Sequence, residues 1–246
     1  MKNAMLQGKL EVAVQSLFVI VLSLVVSGCA ALGTAGVNLI SVEEEWELGK
    51  QFEAELAEEL DPYEDPRITQ MGQRIVAETR KADLPWRFYV VDDESINAFN
   101  VPGGLVYLHS GLIDVASDAE IAAVIAHEIS HGVARHGTQR MTQQYGLAII
   151  AGAVLGEDPG VVQEIVAQIL AGGTIARFSQ AQEFEADDLG VRFMHDAGYD
   201  PNGMIALLER FLALQERDPG RMQQFFATHP STDERLERVR EMVDNL

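Results

Sequence analysis

The chain has 246 residues, 47% of them hydrophobic and 23% charged, which suits one domain able to bury a sizeable core. Its 38 acidic residues outnumber 18 basic ones, for a formal net charge of −20. That balance excludes a nucleic-acid surface, since no basic patch is present to neutralise phosphates. The single cysteine, Cys29, excludes an internal disulfide framework.

In chain order, Lys2 and Lys9 precede a mostly apolar run from Val12 to Val26, a charged segment followed by the apolar core of a secretory signal. The run is short of the roughly 20 apolar residues that a membrane span needs. It ends in "VSGC", residues 26–29, and the lone cysteine stands where a lipid could be attached. The stretch resembles a bacterial lipoprotein signal. It implies cleavage before Cys29 and lipidation there, with residues 1–29 as the signal, 30–40 as a tether and 41–246 as the folded domain. Ala30, rather than aspartate, points to outer-membrane sorting in a Gram-negative host.

Ser41 and Glu44 form a capping-box pattern ahead of a helix in which Trp46, Phe52 and Leu56 can share a face. Asp61-Pro62 ends it. A second helix is expected from Pro66 to Ala82, with Ile68, Met71, Ile75 and Val76 inward. "RFYVV" (87–91) and "INAFNVPGGLVYLHSGLI" (96–113), with the turn Pro102-Gly103-Gly104, predict a small antiparallel sheet. A helix then runs from the Ser117–Glu120 capping box to His136, with Gly137 as its stop. The apolar residues 145–156 are too few to cross a bilayer; a core segment is favoured over a membrane-contacting loop. Helices follow at 161–173, from Ser179 to near Gly198, at 201–217 and at 231–243. The pattern is a mostly helical α+β domain.

The chemistry centres on "AHEISHGVARHG", residues 126–137. On a helix, positions four apart share a face, so His127 and His131 present two imidazoles side by side, a donor pair suited to Zn²⁺. Glu128 lies about 100° further round. From there it can take a proton from a water that the metal has made acidic.

A catalytic zinc takes three protein ligands and keeps one open position. In metzincins the third histidine falls six residues after the second; here that position is Gly137, and Ala134 stands in place of the glycine that turns the chain. His136 is close to half a turn out of phase with His127 on a continuous helix, so it should not reach the same metal; helix-end packing or a dipole role suits it better. Downstream, Glu183 and Asp187 are four apart on a predicted helix. Glu183 could be the third ligand, and Asp187 could accept the second N–H of a ligating histidine. The same spacing also describes a solvated acidic face, and spacing alone leaves both open.

"AHEISHGVARHG" together with "SQAQEFEADDLG" (179–190) resembles the M48 family of gluzincin metallopeptidases, in its short bacterial outer-membrane lipoprotein branch. "NAFNVPGGLVYLHSGLI", "GYDPNGM" and "THPSTDERLERV" extend the resemblance over nearly the whole mature chain. The resemblance implies a zincin-type domain with one zinc held by His127, His131 and Glu183. It implies Glu128 as the base and Asp187 behind a ligand. It further implies that His229 could approach the zinc and latch the site, and that Arg235 supports it. Gln180 stands where the family often has arginine, which puts in doubt any salt bridge made there.

The function expected is a zinc endopeptidase facing the periplasm from a lipid anchor and acting on unfolded or misfolded envelope proteins. Substrate would add as a strand near Asn97, Ala98 and Phe99. The competing reading is a latched or non-proteolytic module that holds such proteins without cutting them.

Overall fold

The computed structural model describes residues 38–156, 159–172, 177–230 and 233–246. The expected signal, with Cys29, and the tether up to residue 37 lie outside the described residues. The elements are α1 (Val42–Leu60), α2 (Pro66–Val76), β1 (Arg87–Val91), β2 (Ala98–Val101), β3 (Leu105–His109), α3 (Ser110–Val115), α4 (Asp118–Ala134), α5 (His136–Tyr145), α6 (Leu147–Val154), α7 (Pro159–Gly172), α8 (Gln180–Asp196), α9 (Asn202–Arg217), α10 (Pro219–Thr228) and α11 (Asp233–Asp244). The chain is thus mostly helical α+β. None of the described helices is long and apolar enough to cross a membrane.

Local signals explain several helix starts. Ser41, Ser117 and Ser179 each accept a hydrogen bond from the N3 backbone, and the N3 side chain accepts one from the serine backbone N–H, so all three capping boxes form. The second helix stops at Val76, short of Ala82. There Thr79 donates to the Val76 carbonyl and accepts from the Lys81 N–H, an alternative to the helical ladder.

The sheet is mixed, a correction to the antiparallel expectation. Its order is β1-β3-β2, with β2 antiparallel and β1 parallel to β3. The tight turn at Pro102-Gly103-Gly104 forces β2 and β3 to pair antiparallel, and Gly103 and Gly104 take positive φ there. The segment 92–104, which includes β2, is long enough to act as the crossover that a parallel β1–β3 pair requires. Residues of the central strand alternate between two cores. Val106 and Leu108 join Ile68, Ile125, Val191 and Phe211 on one side. Leu105 and Tyr107 join Phe52, Ile150 and Ile165 on the other.

Two further expectations change and one is met. The metal helix ends at Ala134 rather than His136, because Arg135 adopts the left-handed conformation (φ 62°, ψ 35°) and a new helix begins at His136. Within the apolar 145–156 segment, Ile150 and Ala153 are buried in the second core, as the core reading expects, while Leu155 is exposed. Between the two expected C-terminal helices lies another, α10, started by Asp218, which caps Arg221 N–H, and by Pro219 in its first turn.

Candidate metal centre

Helix α4 carries the HEISH stretch, and every residue from Glu120 to Val133 is buried. Its N-terminus is tied to α9 by Arg210, whose Nε lies 2.6 Å from the Glu120 carboxylate. Helix α8 crosses close by. A Cβ on Gly190 would meet the Met204 methyl at 3.0 Å and the His127 backbone nitrogen at 3.4 Å. This small residue therefore lets α8 turn Glu183 and Asp187 toward α4.

Four side chains converge. His127 Nε2 is 3.1 Å from His131 Nε2 and 3.3 Å from His229 Nδ1. Glu183 Oε1 lies 3.1 Å from His229 Nδ1 and 3.4 Å from His131 Nε2. All four donor atoms fall within 4.8 Å of one another, and all four side chains are buried. Ligands about 2.0–2.1 Å from a tetrahedral zinc stand about 3.3 Å apart, so this donor set fits zinc.

Charge gives a second test of fit. Glu128, Glu183 and Asp187 are buried carboxylates, and Arg235 is the buried guanidinium among them. Two negative charges are left uncompensated in the interior, which a divalent cation balances. Arg235 reaches in from α11: its Nε and NH2 each sit 2.7 Å from an Asp187 oxygen, and NH1 reaches Glu183 Oε2 at 2.5 Å. Burial alone would raise Glu183, but His229 and Arg235 outweigh it and hold the carboxyl well below its usual range. Burial likewise opposes charge on Asp187, and Arg235 overcomes it. Asp187 Oδ1 lies 3.0 Å from His127 Nδ1, off the line of a well-formed hydrogen bond.

Glu128 is different. Both its oxygens are buried without a well-formed hydrogen bond, although the Asn100 backbone is near. Burial pushes its carboxyl up, against the pull of His229 and His127. His229 caps the end of α10, stacks on Phe225 and brings its unpartnered Nε2 to 3.6 Å from Glu128 Oε1.

Of the other expected residues, Ala98 and Phe99 lie on β2, at the edge of the sheet, and Asn97 immediately precedes it. Asn97 is buried, and neither polar atom of its side chain has a partner. Gln180 donates to the Glu234 carboxylate at 2.7 Å, a hydrogen bond from an uncharged donor in place of the doubted salt bridge. Sequence reasoning missed Phe178, which stacks on His131 with centroids 4.0 Å apart. It also missed Glu185, which lies 3.4 Å from His136 Nε2. No local spacing signals either contact, because both depend on how α8 and the segment before it meet α4.

The chain matches the model of peptidase family M48 over residues 62–243. It is 32% identical over 229 residues to a beta-barrel assembly-enhancing protease of Yersinia pestis, covering 87% of this chain and 47% of that protein. It is 32% identical over 179 residues to the mitochondrial metalloendopeptidase OMA1 of Schizosaccharomyces pombe, covering 72% and 52%. Against metalloprotease YcaL of Escherichia coli (strain K12), identity is 26% over 181 residues, covering 72% and 69%. The chain spans about half the length of the beta-barrel assembly-enhancing proteases it matches.

Proposed function

The chain belongs to peptidase family M48, whose metal is zinc, and on that premise we propose that it is an endopeptidase that cuts unfolded or misfolded envelope proteins. The observation that carries this reading is the buried cluster of His127, His131, Glu183 and His229 with Glu128 beside it. His127, His131 and Glu183 would hold the zinc. When bound, zinc supplies Lewis acidity to the scissile carbonyl and lowers the pKa of water toward neutrality.

The protein's own groups do the rest. Glu128, desolvated and without a well-formed hydrogen bond to hold its charge, is a stronger base than an exposed carboxylate and suits taking a proton from water. It then passes that proton to the leaving amine. Asp187, fixed by Arg235, orients His127, and Arg235 keeps Glu183 ionised and in place. The edge strand from Asn97 to Phe99 would pair with an extended peptide through its backbone, which suits unfolded chains of varied sequence.

We further propose that residues 1–29 are a lipoprotein signal, that Cys29 carries the lipid, and that residues 41–246 act at the periplasmic face of the outer membrane. Support comes from the placement of the lone cysteine and from similarity to proteins named for beta-barrel assembly.

A second reading is favoured by His229. Its Nδ1 lies within reach of the other three donor atoms, so as a fourth ligand it would latch the site, and bound chains would be held without being cut. His229 must swing away before a substrate carbonyl can approach.

The test is Glu128→Gln. The variant should fold and bind one zinc per chain, yet lose cleavage of an unfolded protein such as casein. Undiminished hydrolysis by that variant would sink the mechanism.

A further inference from the structure

His136 is out of phase with the zinc-facing histidines on a continuous helix, but the helix is not continuous. Arg135 takes a left-handed conformation, which residues other than glycine rarely adopt. Its side chain is pinned: Nε lies 2.5 Å from Glu45, and NH2 lies 2.6 Å from the Ile40 carbonyl and 2.8 Å from that of Ser41. The break swings His136 back under α4. The ring is 1% exposed, and its Nδ1 sits 2.8 Å from His131 Nδ1.

Hydrogen placement along this contact follows from the cluster. His131 faces the other donor atoms with Nε2, so that nitrogen must be bare to ligate. A neutral imidazole has one N–H, which on His131 is then on Nδ1. The facing His136 Nδ1 must accept it, and His136 carries its own hydrogen on Nε2. That nitrogen points to Glu185 Oε2, 3.4 Å away, on a carboxylate that is 58% exposed. One arrangement of hydrogens satisfies every atom of the chain from His131 to Glu185.

We infer that His136 is a positioning residue for His131: with Glu185 behind it, it fixes the tautomer and ring angle with which His131 meets the metal. The inference rests on the zinc reading above. It also explains why this position is a histidine. His127 is backed by the carboxylate of Asp187, which Arg235 neutralises. The interior already holds two uncompensated negative charges, as many as one divalent cation balances. A second carboxylate behind His131 would add a third. An imidazole accepts the hydrogen bond without charge and leaves the carboxylate of Glu185 in reach of water.

The test uses the full chain loaded with zinc. Nitrogen-15 NMR of the histidine rings should show His131 protonated at Nδ1 and His136 protonated at Nε2. Finding His136 protonated at Nδ1 overturns the proposal and needs no variant. In His136→Phe, which keeps an aromatic ring but loses the acceptor, zinc affinity measured by chelator competition should fall about 10- to 100-fold. The visible absorption of the cobalt(II)-loaded protein should shift. His136→Gln, which restores an acceptor, should recover most of the affinity, and Glu185→Gln, at an exposed carboxylate that cannot disturb folding, should lower it slightly. Wild-type affinity and an unchanged cobalt spectrum in His136→Phe overturn the inference while leaving the metallopeptidase reading intact. Failure of the wild-type chain to take up zinc overturns both.

Discussion

His229 Nδ1 lies 3.1 Å from Glu183 Oε1, and together they complete the ring of donors begun by His127 and His131 on α4. The two residues come from different elements, the end of α10 and the first turn of α8. Burial disfavours charge on His229, but Glu183 and Glu128 outweigh it and raise its affinity for a proton. The expected consequence is restraint of the site. His229→Ala should open the fourth position and raise kcat/KM on an unfolded protein about tenfold, roughly 1.4 kcal/mol of barrier. Zinc affinity should fall in the same variant. Unchanged activity together with unchanged zinc affinity excludes the latch.

Arg235 is fully enclosed and pairs with two carboxylates. Removing one partner of a buried pair leaves charge without compensation, at a cost of about 3–5 kcal/mol. Arg235→Met should therefore lower the urea midpoint sharply in metal-free protein. Zinc should restore part of the loss by binding only the folded state. Equal losses with and without zinc would show that Arg235 acts through packing instead.

Glu120 couples the start of the metal helix to α9. Burial raises its carboxyl, but hydrogen bonds from Arg210 and Ser117 outweigh this and lower it. The sign follows: a depressed folded value contributes stability above the unfolded carboxylate range, about 4.3, and that contribution disappears as pH falls through the folded value. Glu120→Gln keeps a capping side chain while removing the charge. It should destabilise by about 1 kcal/mol at pH 7, a modest figure because Arg210 is 40% exposed on its side of the pair. The difference from wild type should shrink as pH falls below the unfolded carboxylate range and vanish only below the depressed folded value. Urea titrations at a series of pH values measure it.

Gly190 sets the distance between α8 and α4. Gly190→Val should push against the Met204 methyl and the α4 backbone, costing about 1–3 kcal/mol. Because Glu183 and Asp187 ride on the same helix, zinc affinity should fall with it. Calorimetric zinc titration separates this from a loss of stability alone.

Much of the molecule is readable along the chain. The three capping boxes, the i,i+4 pair in HEISH, the i,i+4 pair Glu183–Asp187 and the Pro-Gly-Gly turn each act within a few residues. Helix and turn geometry alone then sets which side chains share a face. Spacing left Glu183 undecided between a ligand and a solvated face. What resolves its position is the approach of α8 to α4, allowed by the missing side chain at Gly190 and held by Arg235 from α11.

The sequence by itself determined several helix starts, the strand segments, the paired histidines with their glutamate and the net negative charge. Tertiary structure alone decided the parallel pairing of β1 with β3, the convergence of His229 and Arg235 on the site and the return of His136 to His131. The reason is physical. Periodicity assumes that a helix continues, whereas the break at Arg135 is held by groups about 90 residues earlier in the chain, Glu45 and the Ile40 and Ser41 carbonyls. A buried charge is stable only once its partners have assembled from distant segments, and local spacing carries no record of that assembly.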